Sequence, residues 1–232
     1  MTRPQLLLLP GNMCDARLWS GLQLLDVLHA DLSHDDSIEN MASRTLAEHQ
    51  GAFIAIGFSM GGIVALEMAR QAPDRIKGLI LSDTNAGADL PERAAAKPVQ
   101  QARVRAGELA TIVADELKPA YLAAQNRDNE GLKSLLFDMA MGLGDDVFVR
   151  QSEALRTRAD LGPVLDSFMG PLLFLCGAED ALCPPDWHRA MAARCDDAEL
   201  QVIDGAGHLL PLEQPEIFTA AIDDWLNRKF GQ

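Results

Sequence analysis

Short apolar runs alternate with helical patterns along most of the chain. Six stretches have the composition of short strands, at residues 6–9, 30–33, 52–56, 76–81, 171–176 and 200–203. Most are apolar without alternation, which is typical of strands buried on both faces of a parallel sheet. Helices are predicted between and after them, at about residues 17–28, 38–49, 60–72, 185–194 and 215–230. The alternation predicts an α/β fold: a mostly parallel sheet of about six strands, flanked by helices.

The alternation of strand and helix patterns stops between residues 86 and 165. Strand patterns are absent there, alanine is abundant, and helical patterns follow one another at about 100–105, 109–122, 130–141 and 146–156. The segment is too hydrophobic for a disordered linker. We therefore expect a core made of residues 1–85 and 166–232, with residues 86–165 inserted between two core strands as a helical cap.

Composition narrows the class of partner. The chain has 232 residues, of which 48% are hydrophobic, and a formal net charge of −14. An acidic chain repels phosphate backbones and anionic lipids, so neither nucleic acid nor a membrane surface is an expected partner. The run Leu6–Leu9 is far too short for a signal peptide or a membrane span, which favours a cytoplasmic location. The four cysteines show no C-x-x-C spacing and are predicted to be free thiols.

The candidate chemistry begins at Gly57-Phe58-Ser59-Met60-Gly61, between a predicted strand and a predicted helix. This is the G-x-S-x-G pattern of a nucleophile elbow, in which a sharp turn raises a serine hydroxyl above the sheet. Glycine is expected on both sides of Ser59 because strand and helix approach each other closely there. The helix N-terminus also directs N–H groups toward developing negative charge.

A serine nucleophile needs a base and a group that orients the base. Asp180 and His208 each follow a late predicted strand, so both lie at the same sheet edge as Ser59. Asp83, which follows an earlier strand, is the competing candidate for the acid. The remaining histidines are predicted at helix ends or loops, and His188 on an exposed helix.

An oxyanion requires N–H donors close to the serine. The backbone N–H of Met60 is the first candidate. The second is expected from the loop after the first strand, from Asn12 or Met13, with Asn12 favoured.

Taken together, these motifs resemble the α/β-hydrolase family over nearly the whole chain. The resemblance rests on Leu6–Gly11, Gly57–Gly62, Gly177–Asp180 and Gly205–His208. It implies Ser59 as nucleophile, Asp180 as acid, His208 as base and a helical cap over the active site. Pro10 departs from the family's frequent His-Gly at that position, which leaves the second oxyanion donor open. The first predicted strand matches the family's third, so the usual first antiparallel hairpin is expected to be absent.

The predicted cap and the elbow supply flexible apolar side chains for a substrate pocket. The pocket candidates are Met13, Phe58, Phe137, Met139, Met141 and Phe148. Each of them has packing of the cap onto the sheet as its alternative role, and Met60, next to the serine, is favoured for contact with the substrate.

The expected activity is hydrolysis of a small carboxylic ester through an acyl-Ser59 intermediate, with no metal or organic cofactor. Hydrolysis of lactones, thioesters or carbon–carbon bonds uses the same three residues and stays open. A non-catalytic ligand-binding protein on the same scaffold is the alternative from another class. The natural substrate and the oligomeric state are not determined by the sequence.

Overall fold

The computed structural model describes residues 4–117 and 121–231. The strands are β1 Gln5–Leu9, β2 Val27–His29, β3 Phe53–Phe58, β4 Ile76–Ser82, β5 Leu172–Gly177 and β6 Ala198–Ile203. The helices are α1 Ile38–Glu48, α2 Met60–Gln71, α3 Pro91–Arg103, α4 Leu109–Thr111, α5 Glu130–Leu143, α6 Asp145–Thr157, α7 Gly162–Ser167, α8 Pro185–Ala192, α9 Leu210–Glu213 and α10 Pro215–Phe230.

Within the described residues, the six strands form one sheet in the order β2-β1-β3-β4-β5-β6, and every neighbouring pair is parallel. The predicted α/β-hydrolase fold, with a parallel sheet of about six strands, is confirmed. Because the strands run in the same direction, the loops after β1, β3, β4, β5 and β6 all leave from one edge. The candidate site lies at this edge.

The core is divided between the two faces of the sheet. In β1, Leu7 and Leu9 pack on the face covered by α1 and α2, whereas Leu6 and Leu8 pack on the face covered by α10. All four leucines are at most 1% exposed. Burial on both faces explains why this strand is a continuous apolar run despite the modest strand propensity of leucine.

Two predictions near the start of the chain are wrong. The predicted helix at residues 17–28 is only a 3₁₀ turn, Ala16–Trp19, and Leu25 is 78% exposed. The second strand is Val27–His29 rather than 30–33, with Val27 paired to Leu6. Asp26 has a φ of 54°, which turns the chain immediately before this strand and prevents a helix from continuing.

The segment between β4 and β5 is helical in its described part, and α3 to α7 belong to it. Instead of a regular helix over 109–122, it has π-helical turns at Val104–Glu108 and Ile112–Leu117, separated by α4. Gly107, with a φ of 91°, kinks the backbone where a straight helix would continue. Residues 118–120 of that predicted helix lie outside the described residues. An apolar cluster within the segment includes Ile112 and Phe148 and takes in Met13 from the loop after β1.

Candidate active site

Ser59 lies at a strained turn between β3 and α2. Its φ of 52° and ψ of −116° fall outside the regions that ordinary residues prefer. The flanking glycines permit the turn: a Cβ on Gly57 would lie 2.5 Å from the Gly61 carbonyl oxygen, and one on Gly61 would lie 2.0 Å from that of Leu9. Strand and helix therefore touch through backbone atoms, as the elbow motif predicts.

Hydrogen bonds from β4 and its loop hold this turn. The Ser59 N–H donates to the Ser82 carbonyl over 2.9 Å, and the Thr84 hydroxyl donates to the Ser59 carbonyl over 2.7 Å. The Thr84 N–H in turn donates to His188 Nε2 over 3.1 Å. His188 is fully buried, contrary to the exposed position predicted for it, and burial lowers its pKa to about 4. It is therefore a neutral acceptor that positions Thr84.

His208 stands between Ser59 and Asp180. Its Nε2 lies 3.0 Å from Ser59 Oγ, and its Nδ1 lies 2.9 Å from Asp180 Oδ2. A carboxylate only accepts hydrogen bonds, so Nδ1 carries the proton and Nε2 is left to accept the serine proton. The histidine and aspartate side chains are almost completely buried.

Backbone groups fix the Asp180 carboxylate. Its Oδ1 accepts the N–H groups of Leu182 at 2.8 Å and Cys183 at 2.9 Å, while Oδ2 faces His208. Burial favours the neutral acid, but the attraction of His208 and these hydrogen bonds outweigh it and lower the Asp180 pKa. The carboxylate is thus charged and aimed at the imidazole.

Asp83, the competing acid, has a different environment. Its Oδ1 accepts the Gly177 N–H over 2.9 Å, and its Oδ2 accepts the Ser82 hydroxyl. Complete burial, together with the nearby negative charge of Asp180, raises the Asp83 pKa well above its usual value. Its surroundings favour the neutral form, and its hydrogen bonds tie β4 to β5.

Aromatic rings enclose the imidazole of His208. The rings of Phe58 and Tyr121 each have their centroid 5.3 Å from that of His208. The backbone N–H of His208 donates to the Tyr121 carbonyl over 2.7 Å. Gly207 allows this approach, because a Cβ there would lie 2.4 Å from the Tyr121 carbonyl oxygen. The imidazole of His208 is held in place from both the sheet and the helical segment.

The loop after β1 is clamped by a residue that was not predicted from the sequence. Gln151, in the middle of α6, accepts the Met13 N–H over 2.8 Å and donates to the Leu32 carbonyl over 3.1 Å. Asn12 Nδ2 donates to the same Gln151 oxygen over 3.2 Å. A glutamine inside a helix has no local sequence signal for such a role. The Met13 N–H is therefore already bonded, and Asn12 as the second oxyanion donor stays a prediction.

A cavity of about 150 Å³ opens onto Ser59 and His208. Its apolar lining includes Phe58, Met60 and Phe148. Phe58 and Phe148 are among the pocket candidates, and Met60 is the residue favoured for contact with the substrate.

The other four predicted pocket residues do not line this cavity. Met13 and Met139 are completely buried in packing clusters, while Phe137 and Met141 are partly buried against the cluster that contains Met13. The hydrophobic pattern cannot separate these roles, because packing and substrate contact both require apolar side chains.

The cavity is also lined by charged side chains, which were not predicted from the sequence. Asp89, Arg93, Lys97 and Arg158 line it. Asp89 and Arg158 are nearly inaccessible, with side chains 3% and 6% exposed, and they form an ion pair of 3.2 Å. The helical segment thus brings ionic groups, as well as apolar ones, to the serine.

Two clusters of the described residues bring three potential metal ligands together. They are Asp180, Cys183 and His208, and Asp83, Cys176 and Asp180. Metal binding requires the thiolate form of cysteine, whereas burial raises the pKa of both thiols. Neither donor set suits a metal, and the first contains the groups that face Ser59.

The fold agrees with a known protein family. The family model described as the Alpha/beta hydrolase family matches residues 6–221. The chain therefore belongs to the alpha/beta hydrolase family, and the predicted enzyme class is confirmed.

Similar proteins include enzymes named as esterases. A pimeloyl-[acyl-carrier protein] methyl ester esterase of Aromatoleum aromaticum is 28% identical, over 97% of this chain and 98% of its own length. The enzyme of that name from Neisseria meningitidis serogroup A is 27% identical, over 82% of this chain but only 62% of its own length. Among solved structures, a thermophilic esterase from Thermogutta terrifontis, with malate bound, is 31% identical with a TM-score of 0.89, covering 98% of this chain and 90% of its own.

Proposed function

We propose that this protein is a carboxylic ester hydrolase that acts through an acyl-Ser59 intermediate. The observation that carries the proposal is the continuous contact from Ser59 Oγ to His208 Nε2 at 3.0 Å and from His208 Nδ1 to Asp180 at 2.9 Å. These groups open onto a cavity large enough for a small ester. The esterase names of the relatives favour an ester over a lactone, a thioester or a carbon–carbon bond.

In the acylation step, His208 Nε2 takes the proton of Ser59 as Oγ attacks the ester carbonyl carbon. Asp180 stabilises the imidazolium that forms. When the tetrahedral intermediate collapses, the bond to the alcohol oxygen breaks and the imidazolium returns the proton to that oxygen. In deacylation, His208 takes a proton from water as the water oxygen attacks the acyl carbon. The bond to Ser59 Oγ then breaks, the acid is released, and His208 returns the proton to Ser59.

The oxyanion of each tetrahedral intermediate needs donors. We assign these to the backbone N–H groups of Met60 and Asn12. Met60 is the first residue of α2, so its N–H precedes the internal hydrogen bonds of that helix. The loss of one such donor costs roughly 3–4 kcal/mol in measured cases.

The helical segment serves, in this proposal, as the cap of residues 86–165 over a core of 1–85 and 166–232. Gln151 supports this role, because it links α6 to the loop that carries Asn12. Among the described residues, no helix combines the length and apolar character needed to cross a membrane. The cytoplasmic location, the small-molecule partner and the independence from a cofactor stay predictions from the sequence.

A fluorophosphonate probe tests the nucleophile directly. The wild-type protein should be labelled at Ser59 and should hydrolyse p-nitrophenyl acetate, and Ser59→Ala should lose both properties. Ser20→Ala, at an exposed serine, is the matched control and should keep both. Circular dichroism shows whether each variant is folded. Labelling at another serine, or hydrolysis that survives in Ser59→Ala, would overturn the proposal in favour of a binding protein or a different site.

A further inference from the structure

The charged side chains that line the cavity carry a net positive charge. Among the described residues that line it, three are cationic, Arg93, Lys97 and Arg158, and a single carboxylate, Asp89, opposes them. The chain as a whole carries a net charge of −14. A local excess of positive charge beside the candidate nucleophile therefore runs against the composition of the protein.

Two of the three cations are held by the protein itself. Arg158 bonds to Asp89, to the carbonyl groups of Gly87 and Leu155 and to the side chain of Asn85. Lys97 Nζ lies 2.6 Å from the other Asp89 oxygen. One carboxylate is thus shared by two cations, and no second one compensates them within the described lining.

Of the three cations, Arg93 is the one that keeps N–H donors available for a ligand. The described residues provide no carboxylate partner for it, and its hydrogen bond runs from Nη1 to the Leu182 carbonyl at 3.3 Å. The guanidinium also lies over the Trp187 ring, 5.8 Å from its centroid. A guanidinium has five N–H donors in one plane. The ring and the carbonyl orient that plane and leave donors for a ligand.

Arg93 lines the same cavity as Ser59 and His208. Leu182, which it contacts, belongs to the loop that carries Asp180, and the Arg93 charge opposes the rise in the pKa of Tyr121 that burial causes. Tyr121 packs against the His208 ring. In addition, Lys97 is one helical turn beyond Arg93 on α3, so both side chains reach the same side of the cavity.

We propose that the substrate carries a free carboxylate besides its ester group, and that Arg93 binds this carboxylate with Lys97 beside it. This inference rests on the proposed ester hydrolysis and names its substrate class. Guanidinium and carboxylate match in shape and form strong paired hydrogen bonds. At ~10–15 Å³ of such space per water molecule, the cavity of about 150 Å³ holds on the order of ten ligand atoms. A monoester of a short dicarboxylic acid has that size.

The test compares two methyl esters of equal chain length, monomethyl adipate and methyl hexanoate, which differ in the terminal carboxylate. Wild-type kcat/KM should be higher for monomethyl adipate. In Arg93→Gln, the ratio of the two kcat/KM values should fall by about 10–100-fold, the range for a hydrogen bond to a charged group. Arg93→Lys should retain part of the ratio. Arg127→Gln, at an exposed arginine outside the cavity lining, should leave it unchanged.

A second measurement does not require turnover of the anionic ester. Adipate should inhibit p-nitrophenyl acetate hydrolysis competitively, and Arg93→Gln should weaken that inhibition. Equal losses on both methyl esters in Arg93→Gln, or a wild-type preference for methyl hexanoate, would overturn the inference. So would stronger inhibition by inorganic phosphate than by adipate. Fluorophosphonate labelling of Ser59 separates failure of this inference from failure of the proposed function. A labelled enzyme without the carboxylate preference refutes this inference alone, whereas an unlabelled one refutes the proposed function.

Discussion

Asp180→Asn removes the charge beneath His208 while keeping nearly the same shape. Two backbone N–H groups, from Leu182 and Cys183, point at Oδ1 of Asp180. An asparagine must therefore place its carbonyl oxygen there and direct its NH₂ group toward His208. That NH₂ donates to Nδ1, which moves the imidazole proton to Nε2. With Nε2 protonated, His208 cannot accept the proton of Ser59.

The expected loss has two sources. The wrong tautomer must be reversed in every turnover, and the imidazolium loses its buried carboxylate partner. Removing one partner of a buried ion pair costs about 3–5 kcal/mol, which corresponds to a decrease in kcat of roughly 10²–10⁴. KM should change little, since Asp180 does not line the cavity.

Asp83→Asn is the matched control. Burial and the nearby Asp180 raise the pKa of Asp83 well above its usual value and favour its neutral form, and an amide reproduces its acceptor for the Gly177 N–H. We expect a change in kcat of less than about tenfold, the effect of a typical hydrogen bond. The assay is p-nitrophenyl acetate hydrolysis, together with the rate of fluorophosphonate inactivation. A loss in Asp83→Asn that exceeds the loss in Asp180→Asn would refute the assignment of the acid.

Three further predictions concern stability and positioning. Because the pKa of His188 is lowered to about 4 in the folded protein, the unfolded state binds the proton more readily. The free energy of unfolding should therefore fall as the pH drops below ~6.5, by up to about 3 kcal/mol. Urea titrations of His188→Gln should show a shallower pH dependence of stability, and an unchanged dependence would contradict the role of His188. Gly61→Ala should destabilise the protein by several kcal/mol in the same titration, or prevent folding, because its Cβ would lie 2.0 Å from the Leu9 carbonyl oxygen, whereas Gly131→Ala should not. Gln151→Ala should lower kcat about tenfold, since the buried Met13 N–H loses its acceptor. Gln151→Met, which fills similar space without an acceptor, should lose as much, and full activity in that variant would argue against the clamp.

Much of the architecture could be predicted from local pattern. Strands such as β1 and β3 are buried on both faces, and this produces continuous apolar runs that need no tertiary information to recognise. The elbow can be recognised in the sequence for a similar reason. The close backbone approach at Gly57 and Gly61 excludes any side chain, so both positions are glycine. The helix predicted after the first strand failed because leucine spacing does not reveal the turn at Asp26, where φ is 54°.

The amino-acid sequence by itself determined the fold class, the turn that carries Ser59 and the sheet edge where Asp180 and His208 lie. Only the tertiary structure decided which acid faces the imidazole, because Asp83 and Asp180 follow neighbouring strands and differ in their surroundings rather than in their sequence patterns. It also decided the lining of the cavity. Whether an apolar side chain packs or lines a site, and whether an arginine such as Arg93 meets a carboxylate, depends on contacts between residues far apart in the chain, and no periodicity encodes those contacts.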